Sequence, residues 1–294
     1  MMQGLLTAIK AELFVALRSR ATQMICVIPA VVAMLQLLIT SSISAGNQAR
    51  EAVTASGGGF GGGFGSTAQV EGADAWGALV DSLGTGLALI SLIMVAYAAW
   101  SFASDRDLGV ARHLLIRRVS RPALVLSKLV MAHLLALISI VLLLLLTRLT
   151  ASLLWDFGPV VEDGYELIGV AEIQSELRLG LILALIPIPA GIAMGVLLSV
   201  AAGSTTQALS AALGLTLGLD LFKSVLGSAA DYLYVSYQVS LLDESYLNDV
   251  ARLVRGYSDV MIDPAVLQLN QWVPWPQMLL FIALALWLVR RKTL

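Results

Sequence analysis

Long apolar stretches alternate with short polar segments along the whole of this 294-residue chain. A helix needs about 20 apolar residues to cross the hydrocarbon core of a bilayer. The pattern therefore predicts an all-α polytopic membrane protein with six transmembrane helices. The six stretches that reach or approach the required length are residues 22–43, 78–103, 123–150, 178–201, 205–226 and 274–290.

The composition of the chain agrees with this interpretation. Hydrophobic residues make up 58% of the chain and charged residues only 13%, and the mean hydropathy is +0.86. Because soluble domains average about 25% charged residues, these values exclude an ordinary soluble domain, a disordered segment and a collagen-like chain. The single cysteine, Cys26, excludes an internal disulfide and a cysteine-based metal cluster.

Charged residues divide unequally between the two ends of the predicted spans. The N-terminus, the loop after the second span, residues 202–204 and the C-terminus together carry twelve bases and three acids. The remaining segments carry six bases and seventeen acids, so the net charge of −2 is +9 at one end nearly cancelled by −11 elsewhere. Lys and Arg accumulate in cytoplasmic loops, so both termini are predicted to lie in the cytoplasm.

A cleaved signal peptide is the alternative interpretation of the first span. Its apolar run is longer than the core of a signal peptide, and some twenty residues that include Glu12 precede it. We therefore expect the first span to be a membrane helix.

The chain is expected to form one transmembrane domain over residues 1–294. Residues 2–20 carry apolar side chains at helical spacing, which predicts an amphipathic helix lying in the membrane interface. The cytoplasmic loop between the second and third spans covers residues 104–122, and Pro122 is well placed to begin the third helix.

Three longer segments are predicted on the external side, at residues 44–77, 151–177 and 227–273. The first contains the glycine-rich run 57–65, which is typical of a flexible tether. The second is acidic and predicts a solvated surface. The third is too long for a plain connection, so we expect one or two short helices in it.

The sequence offers no constellation for catalysis. It contains no His-Glu-x-x-His metal motif, no Gly-x-Ser-x-Gly nucleophile turn and no phosphate-binding Gly-x-x-x-x-Gly-Lys-Ser/Thr loop. The two histidines, His113 and His133, are too few for a zinc or haem site. A chain with no catalytic residue, no metal ligand and no cofactor of its own is therefore predicted.

Polar residues within the predicted spans are candidates for a substrate path. Gln36 lies in the first span, and Asp220 and Lys223 lie in the outer part of the fifth. A spacing of three residues puts Asp220 and Lys223 on one helix face, where they can instead form a structural ion pair. Pro187 and Pro189 are expected to bend the fourth span.

The cytoplasmic loop carries the most informative pattern. It opens with Asp105-Arg106-Asp107-x-Gly109 directly after a span, and leucines and Arg112 follow at helical spacing. This spacing predicts a short helix held between two spans. Such a helix can dock into a groove of a partner, and its mixed charges would give orientation and specificity.

This loop resembles that of the type-2 ABC transporter permeases, the six-span membrane subunits of exporters. Asp105 to Gly109 matches the family's acidic-basic-acidic-x-Gly stretch, although Val110 stands where the family has Thr. Arg118 to Arg121 matches a turn in which Pro is common at the position of Arg118, and Ser127-Lys128-Leu129 matches a Gly-Lys-Leu start of the third span. The motif covers about 25 residues, and the layout of helices and loops agrees over the whole chain.

The resemblance implies a non-catalytic permease subunit that couples ATP hydrolysis in a separate ATPase subunit to movement, by expectation export, of an unidentified substrate. Two copies of that ATPase would hold the ATP and Mg²⁺, and two permease subunits would form a homodimer, with a heterodimer left open. Residues 2–20 would be the elbow helix, and loop 104–122 would be the coupling loop that contacts the ATPase. The coupling residues implied are Asp105, Arg106, Asp107, Gly109, Arg112 and Arg118.

The same resemblance implies a multi-pass protein of the bacterial cytoplasmic (inner) membrane, surrounded by the lipid bilayer and with no nucleic-acid partner. An alternative task within the family is mechanotransmission, in which the complex serves an external or periplasmic partner protein or the maturation of a metalloenzyme. The glycine-rich tether and the acidic external surface suit such a protein partner.

Overall fold

The computed structural model describes residues 2–56, 73–110, 119–162, 165–240, 250, 252, 254 and 264–291. Within them, the regular structure consists of α-helices, two 3-10 helices and one β-hairpin. The α-helices are α1 (Met2–Arg18), α2 (Arg20–Ser56), α3 (Ala73–Asp107), α4 (Arg121–Leu154), α5 (Val170–Leu185), α6 (Ile188–Ala201), α7 (Thr205–Phe222), α8 (Pro264–Trp272) and α9 (Pro274–Arg291).

Five helices or helix pairs of the described chain are long and apolar enough to cross a membrane, and a bent sixth candidate begins with α7. The prediction of an all-α, multi-pass membrane protein is therefore confirmed. The five segments are Arg20–Asn47, Ala73–Asp107, Arg121–Leu154, Val170–Ala201 and Pro264–Arg291.

Helix α3 forms the centre of the bundle, because α2, α4, α6 and α7 all pack against it. Most of its length is buried, including the bulky side chains of Trp76, Met94 and Phe102. Its closest neighbour is α6, where Gly195 lies directly against the α3 backbone. A Cβ added at Gly195 would lie 2.6 Å from the carbonyl oxygen of Val95 and 2.8 Å from the Cβ of Ala98.

Two predicted helix boundaries coincide with local signals in the sequence. Helix α4 begins next to Ser120, whose Oγ accepts a hydrogen bond from the backbone N–H of Ala123 at 3.3 Å, with Pro122 in the first turn. The helix of the fourth span is interrupted at Pro187, between α5 and α6, at the place where its prolines predict a bend.

Two of the predicted external segments need correction. Segment 44–77 is shorter than expected, because α2 extends to Ser56 and α3 already begins at Ala73. Segment 151–177 includes an antiparallel β-hairpin in which Val160 pairs with Ile168 and Glu162 with Tyr165, followed by the start of α5. Three- and four-residue strands are too short to produce a recognisable alternation of polar and apolar positions.

The fifth span also ends earlier than predicted. Helix α7 stops at Phe222 and not at residue 226, and the chain continues in 3-10 helices at Lys223–Tyr232 and Tyr234–Tyr237. The bend between Thr205–Phe222 and Val225–Tyr232 is 118°, and Gly227 has a positive φ of 53°. Short helices are present in segment 227–273, as predicted. The sequence also predicts a helix capped by Asp243 and running to Arg255, but most of those residues lie outside the described chain.

We predict that Gly195→Ala destabilises the protein by about 1–3 kcal/mol, because the new methyl group forces α3 and α6 apart. Gly214→Ala is the matched control, since nothing lies within 4 Å of a Cβ at this position in α7. Thermal unfolding in detergent measures both. Equal melting temperatures for the two variants would contradict the close approach of α3 and α6.

Candidate functional site

A cluster of three charged side chains joins separate helices at the end of the bundle where α3 ends and α4 begins. Lys128 Nζ lies 2.6 Å from Asp105 Oδ2 and 2.7 Å from Glu12 Oε1. The lysine belongs to α4, Asp105 to the end of α3 and Glu12 to α1. We call these three residues the charge cluster.

The charge cluster is shielded from its surroundings. The side chain of Lys128 is only 7% exposed, and those of Glu12 and Asp105 are 14% and 17% exposed. A shielded ammonium group is tolerated only with close, well-aligned partners, because removing it from water costs several kcal/mol. The position of α1 on the bundle is therefore fixed by an ion pair as well as by apolar packing against α4.

The shielding of Glu12 is not expected from the apolar periodicity of residues 2–20, because Glu12 lies off the apolar stripe of that helix. Its partner Lys128 follows it by 116 residues, so local periodicity could not reveal the contact. The sequence does contain a chemical sign that Lys128 needs a partner. This lysine follows six apolar or small residues at the start of the third span, where an unpaired charge is costly.

The two residues after Asp105 connect α3 to the chain between α6 and α7. Arg106 Nη1 donates to the carbonyl oxygen of Ala202 at 2.7 Å. Asp107 Oδ2 accepts both the backbone N–H of Thr205, at 2.7 Å, and its hydroxyl, at 2.6 Å. Thr205 is the first residue of α7, so this carboxylate satisfies a donor that a helix start leaves free and complements the helix dipole.

Asp105, Arg106 and Asp107 thus contact different parts of the chain although they are consecutive. Together with their partners they form what we call the junction, which consists of Asp105, Arg106, Asp107, Glu12, Lys128, Ala202 and Thr205. The junction ties the beginning of loop 104–122 to α1, to α4, to the end of α6 and to the start of α7.

The chain turns sharply as it leaves the junction. Gly109 has a φ of 74°, a left-handed conformation that favours glycine. Next to it the side chain of Leu108 is 76% exposed and that of Val110 is 40% exposed. Of the other predicted coupling residues, Arg112 and Arg118 lie outside the described residues.

The second group of predicted site residues lies at the opposite end of α7. Lys223 Nζ is 3.1 Å from Asp220 Oδ1, and the hydroxyl of Ser240 donates to Asp220 Oδ2. Gln36, which the sequence analysis grouped with this pair, forms no hydrogen bond to either residue and belongs to α2, which packs on α3 and α4. The structure therefore joins Asp220 and Lys223 and leaves Gln36 apart.

Residues 223–240, which we call the outer cap, fold back against the bundle. The backbone N–H of Tyr234 donates to Gln277 Oε1 of α9 at 3.0 Å, and its hydroxyl donates to the Sδ of Met194 in α6 at 3.1 Å. The ring of Tyr234 also packs edge-on against Phe281, with centroids 6.0 Å apart. These contacts attach the outer cap to α6 and α9.

The half-buried hydroxyl of Tyr237 forms a further hydrogen bond within the outer cap. Tyr237 donates to the carbonyl oxygen of Asp231 at 2.6 Å. Burial, together with the negative charge of Asp231, raises the pKa of Tyr237 to about 12. The phenol therefore stays protonated, and able to donate, throughout the physiological pH range.

A cavity of about 190 Å³ lies between the outer cap, α3 and α7. Its polar wall includes Asp220, Thr216, Ser240 and Gln238, and Gln238 Oε1 is buried with no hydrogen-bond partner among the described residues. The rest of its wall is apolar, so it could hold a small solute that donates one hydrogen bond. The described residues contain no group of three His, Cys, Asp or Glu side chains arranged for a metal ion.

One family model matches this chain. Its description is protein of unknown function (DUF2705), and the match covers residues 56–239, which is more than half of the chain. The match includes α3 to α7, the Asp105–Asp107 part of the junction and most of the outer cap. No curated protein matches the chain.

We predict that Lys128→Met lowers the free energy of unfolding by about 3–5 kcal/mol, because it leaves two shielded carboxylates without their shared cation. Thermal unfolding in detergent measures the loss. Lys10→Met is the control, since Lys10 is exposed on the same helix as Glu12. Adding Glu12→Gln and Asp105→Asn to Lys128→Met should restore most of the stability. An unfolding temperature equal to that of Lys10→Met would contradict the charge cluster.

Proposed function

The chain belongs to the family of unknown function DUF2705, and we propose that it is the membrane-spanning permease subunit of an ABC transporter. In this proposal the chain has no catalytic activity itself. It couples ATP hydrolysis by a separate ATPase subunit to movement, in the export direction, of a substrate. Support comes from the loop motif that resembles the type-2 permeases and from the contacts of the residues in that motif.

The junction is the observation that carries the proposal. A subunit driven from outside must convert a displacement of one loop into a displacement of several membrane helices. Asp105, Arg106 and Asp107, near the start of loop 104–122, each bind a different part of the chain, by way of Lys128, Ala202 and Thr205. A pull on this loop would therefore reach α1, α4, α6 and α7 together.

The division of charge supports the proposed orientation, with both termini in the cytoplasm of a bacterial inner-membrane protein. The junction is on the basic side of the predicted spans. On this side, α1 would act as an elbow helix in the membrane interface, because Phe14, Val15 and Leu17 leave an apolar surface exposed beside the buried Ala16.

The exposed residues beyond the junction supply a docking surface. Leu108 and Val110 are apolar and exposed at the place where the chain turns away from the bundle, at Gly109. Asp105, Arg106 and Asp107 already bind this chain's own helices, so in our proposal they transmit force, and the loop beyond them contacts the ATPase. The proposed assembly has two permease subunits, as a homodimer, and two ATPase subunits that carry the ATP and Mg²⁺.

The partner can be tested by purifying the full chain from native membranes with Leu108→Asp as the variant. We expect the wild-type chain to recover a protein with a Gly-x-x-x-x-Gly-Lys-Ser/Thr motif and ATPase activity, and Leu108→Asp to recover about tenfold less, because a charge in a desolvated apolar contact is unfavourable. Leu153→Asp is the matched control, because Leu153 is as exposed as Leu108 but lies at the end of α4 that is far from the junction. Recovery of no such ATPase by the wild-type chain would sink the proposal.

Coupling through the junction can be measured without knowing the substrate. In a Cys26→Ala background, a cysteine at the exposed Val225 reports on the outer end through its reaction with a membrane-impermeant maleimide. We expect Mg-ATP and vanadate to change the reaction rate of the purified complex by about fivefold or more. Asp107→Ala should abolish this change while the ATPase stays bound, because both bonds to Thr205 are lost.

Thr205→Ser is the control for this measurement, since it keeps the hydroxyl and the backbone N–H that bind Asp107. It should respond to nucleotide like the wild-type chain. A full response in Asp107→Ala would show that the loop acts on the helices by another route. In intact cells the same reagent should label Val225→Cys and not Leu108→Cys if the proposed orientation is right.

The β-hairpin favours a second candidate function, mechanotransmission to an external protein. Tyr165 is 78% exposed at the start of its second strand, and Leu167 is exposed in the same strand. Exposed aromatic side chains are typical anchors of protein interfaces. In this version the same ATP-driven movement would act on a partner protein, or on the maturation of a metalloenzyme, and not on a solute.

Photo-cross-linking distinguishes the two tasks. A photoreactive amino acid in place of Tyr165 should capture one envelope protein in an ATP-dependent manner if the chain is a mechanotransmitter. The same group in place of Tyr232, which is also exposed but belongs to the outer cap, is the control. If the group at position 165 captures no protein and the purified complex moves a solute, the function is transport and not mechanotransmission.

A further inference from the structure

A crevice of about 360 Å³ opens between α3, α4 and α5, away from the junction. The end nearest the β-hairpin is lined by Trp76, Arg148 and Arg178. Its deeper part is lined by leucines, among them Leu83 and Leu144. It is separate from the cavity under the outer cap, with which it shares no lining residue.

The three helix directions give this crevice a polar end and an apolar end. Helix α4 runs out towards the hairpin, and Arg148 precedes its end at Leu154 by about 9 Å of helix rise. Helices α3 and α5 run the other way, so Leu83 lies deeper than Trp76, and Leu181 lies deeper than Arg178. The lining thus changes from guanidinium groups to leucines within about two helical turns.

The two guanidinium groups are not used in ion pairs within the described chain. None of its salt bridges involves Arg148 or Arg178. Arg148 instead rests on aromatic rings, with its Cζ 4.4 Å from the ring centre of Phe157 and 5.9 Å from that of Trp76. A cation–π contact of this kind restrains the guanidinium and does not consume its N–H groups, which remain available to an anion.

The aromatic rings beneath Arg148 are themselves fixed. Trp76 is almost fully buried, and its Nε1–H donates to the carbonyl oxygen of Gly158 at 2.9 Å. Phe157 packs edge-on against Trp76 with ring centroids 4.7 Å apart. The arginine therefore sits on a rigid support, which reduces the entropy lost when it binds a ligand.

We propose that this crevice is a binding site for an anionic phospholipid, with the headgroup phosphate between Arg148 and Arg178 and an acyl chain along Leu83, Leu144 and Leu181. The proposal rests on charge complementarity: two exposed cations that have no carboxylate partner among the described residues lie at the mouth of an apolar crevice. A free phosphate would use the arginines and leave the leucine-lined part empty. The site does not depend on the proposed transporter function, and the proposed orientation puts it in the outer leaflet.

The test uses the full chain in nanodiscs that contain equal amounts of phosphatidylglycerol and phosphatidylcholine, followed by native mass spectrometry of the retained lipid. We expect the wild-type chain to retain phosphatidylglycerol preferentially. Arg148→Gln with Arg178→Gln should reduce that retention by about tenfold or more, because each charge-assisted hydrogen bond lost weakens binding by about that factor. Arg148→Lys with Arg178→Lys should keep part of it. Equal retention by the wild-type and the glutamine variant would overturn the proposal.

The acyl-chain part of the site has its own matched pair of variants. Leu181→Trp fills the crevice and should reduce phosphatidylglycerol retention, whereas Ile182→Trp, the next residue of the same helix and one that is exposed outside the crevice, should not. This pair keeps the proposal testable if the double arginine variant does not fold. Millimolar inorganic phosphate should not displace the lipid. Displacement by phosphate, or equal effects of the two tryptophans, would assign the arginines to a soluble anion and reject the lipid site.

Discussion

Lys128 is a charge that this end of the bundle can hold only because two carboxylates from other helices meet it there. Its ammonium group is almost fully shielded, and both ion-pair distances are below 2.8 Å. Because the two carboxylates come from α1 and α3, a movement of either helix away from α4 breaks a shielded ion pair. Other features at this end, including the position of α1 and the exit of the loop at Gly109, depend on that arrangement.

The two ends of the bundle are held by different kinds of contact. Charged side chains hold the junction end, where Asp105, Arg106 and Asp107 each bind a different element. At the other end, hydrogen bonds of Tyr234 and Gln277 and an edge-on aromatic contact attach the outer cap, beside the single ion pair of Asp220 and Lys223. The junction therefore connects several helices through charged side chains, whereas the cap is attached mainly through neutral ones.

The helices could be predicted from the sequence because each depends on local signals. Apolar length located the spans, and Ser120 with Pro122 located the start of α4 within a residue. The charge cluster could not be predicted, because Glu12 and Lys128 are distant in sequence and the periodicity of α1 assigned Glu12 to its polar side. The end of α7 was also missed, since the turn there depends on the backbone of Gly227 and on contacts of Tyr234 with α6 and α9. Asp105, Arg106 and Asp107 were singled out in the sequence as coupling residues, a role that stays a prediction, and their partners Ala202 and Thr205 could not be predicted.

The contact of Gly195 with the backbone of Val95 has a mechanical consequence for any movement of this protein. With no side chain at Gly195, the two backbones lie so close that pushing α3 and α6 together at this point would cause a clash, because packed interiors do not deform continuously. We therefore expect α3 and α6 to move as a pair, with the junction at the end of α3. Among the described residues, the helices next to this pair are interrupted at Pro187 and at residues 202–204. A turn of α5 or α7 relative to the pair would use these breaks.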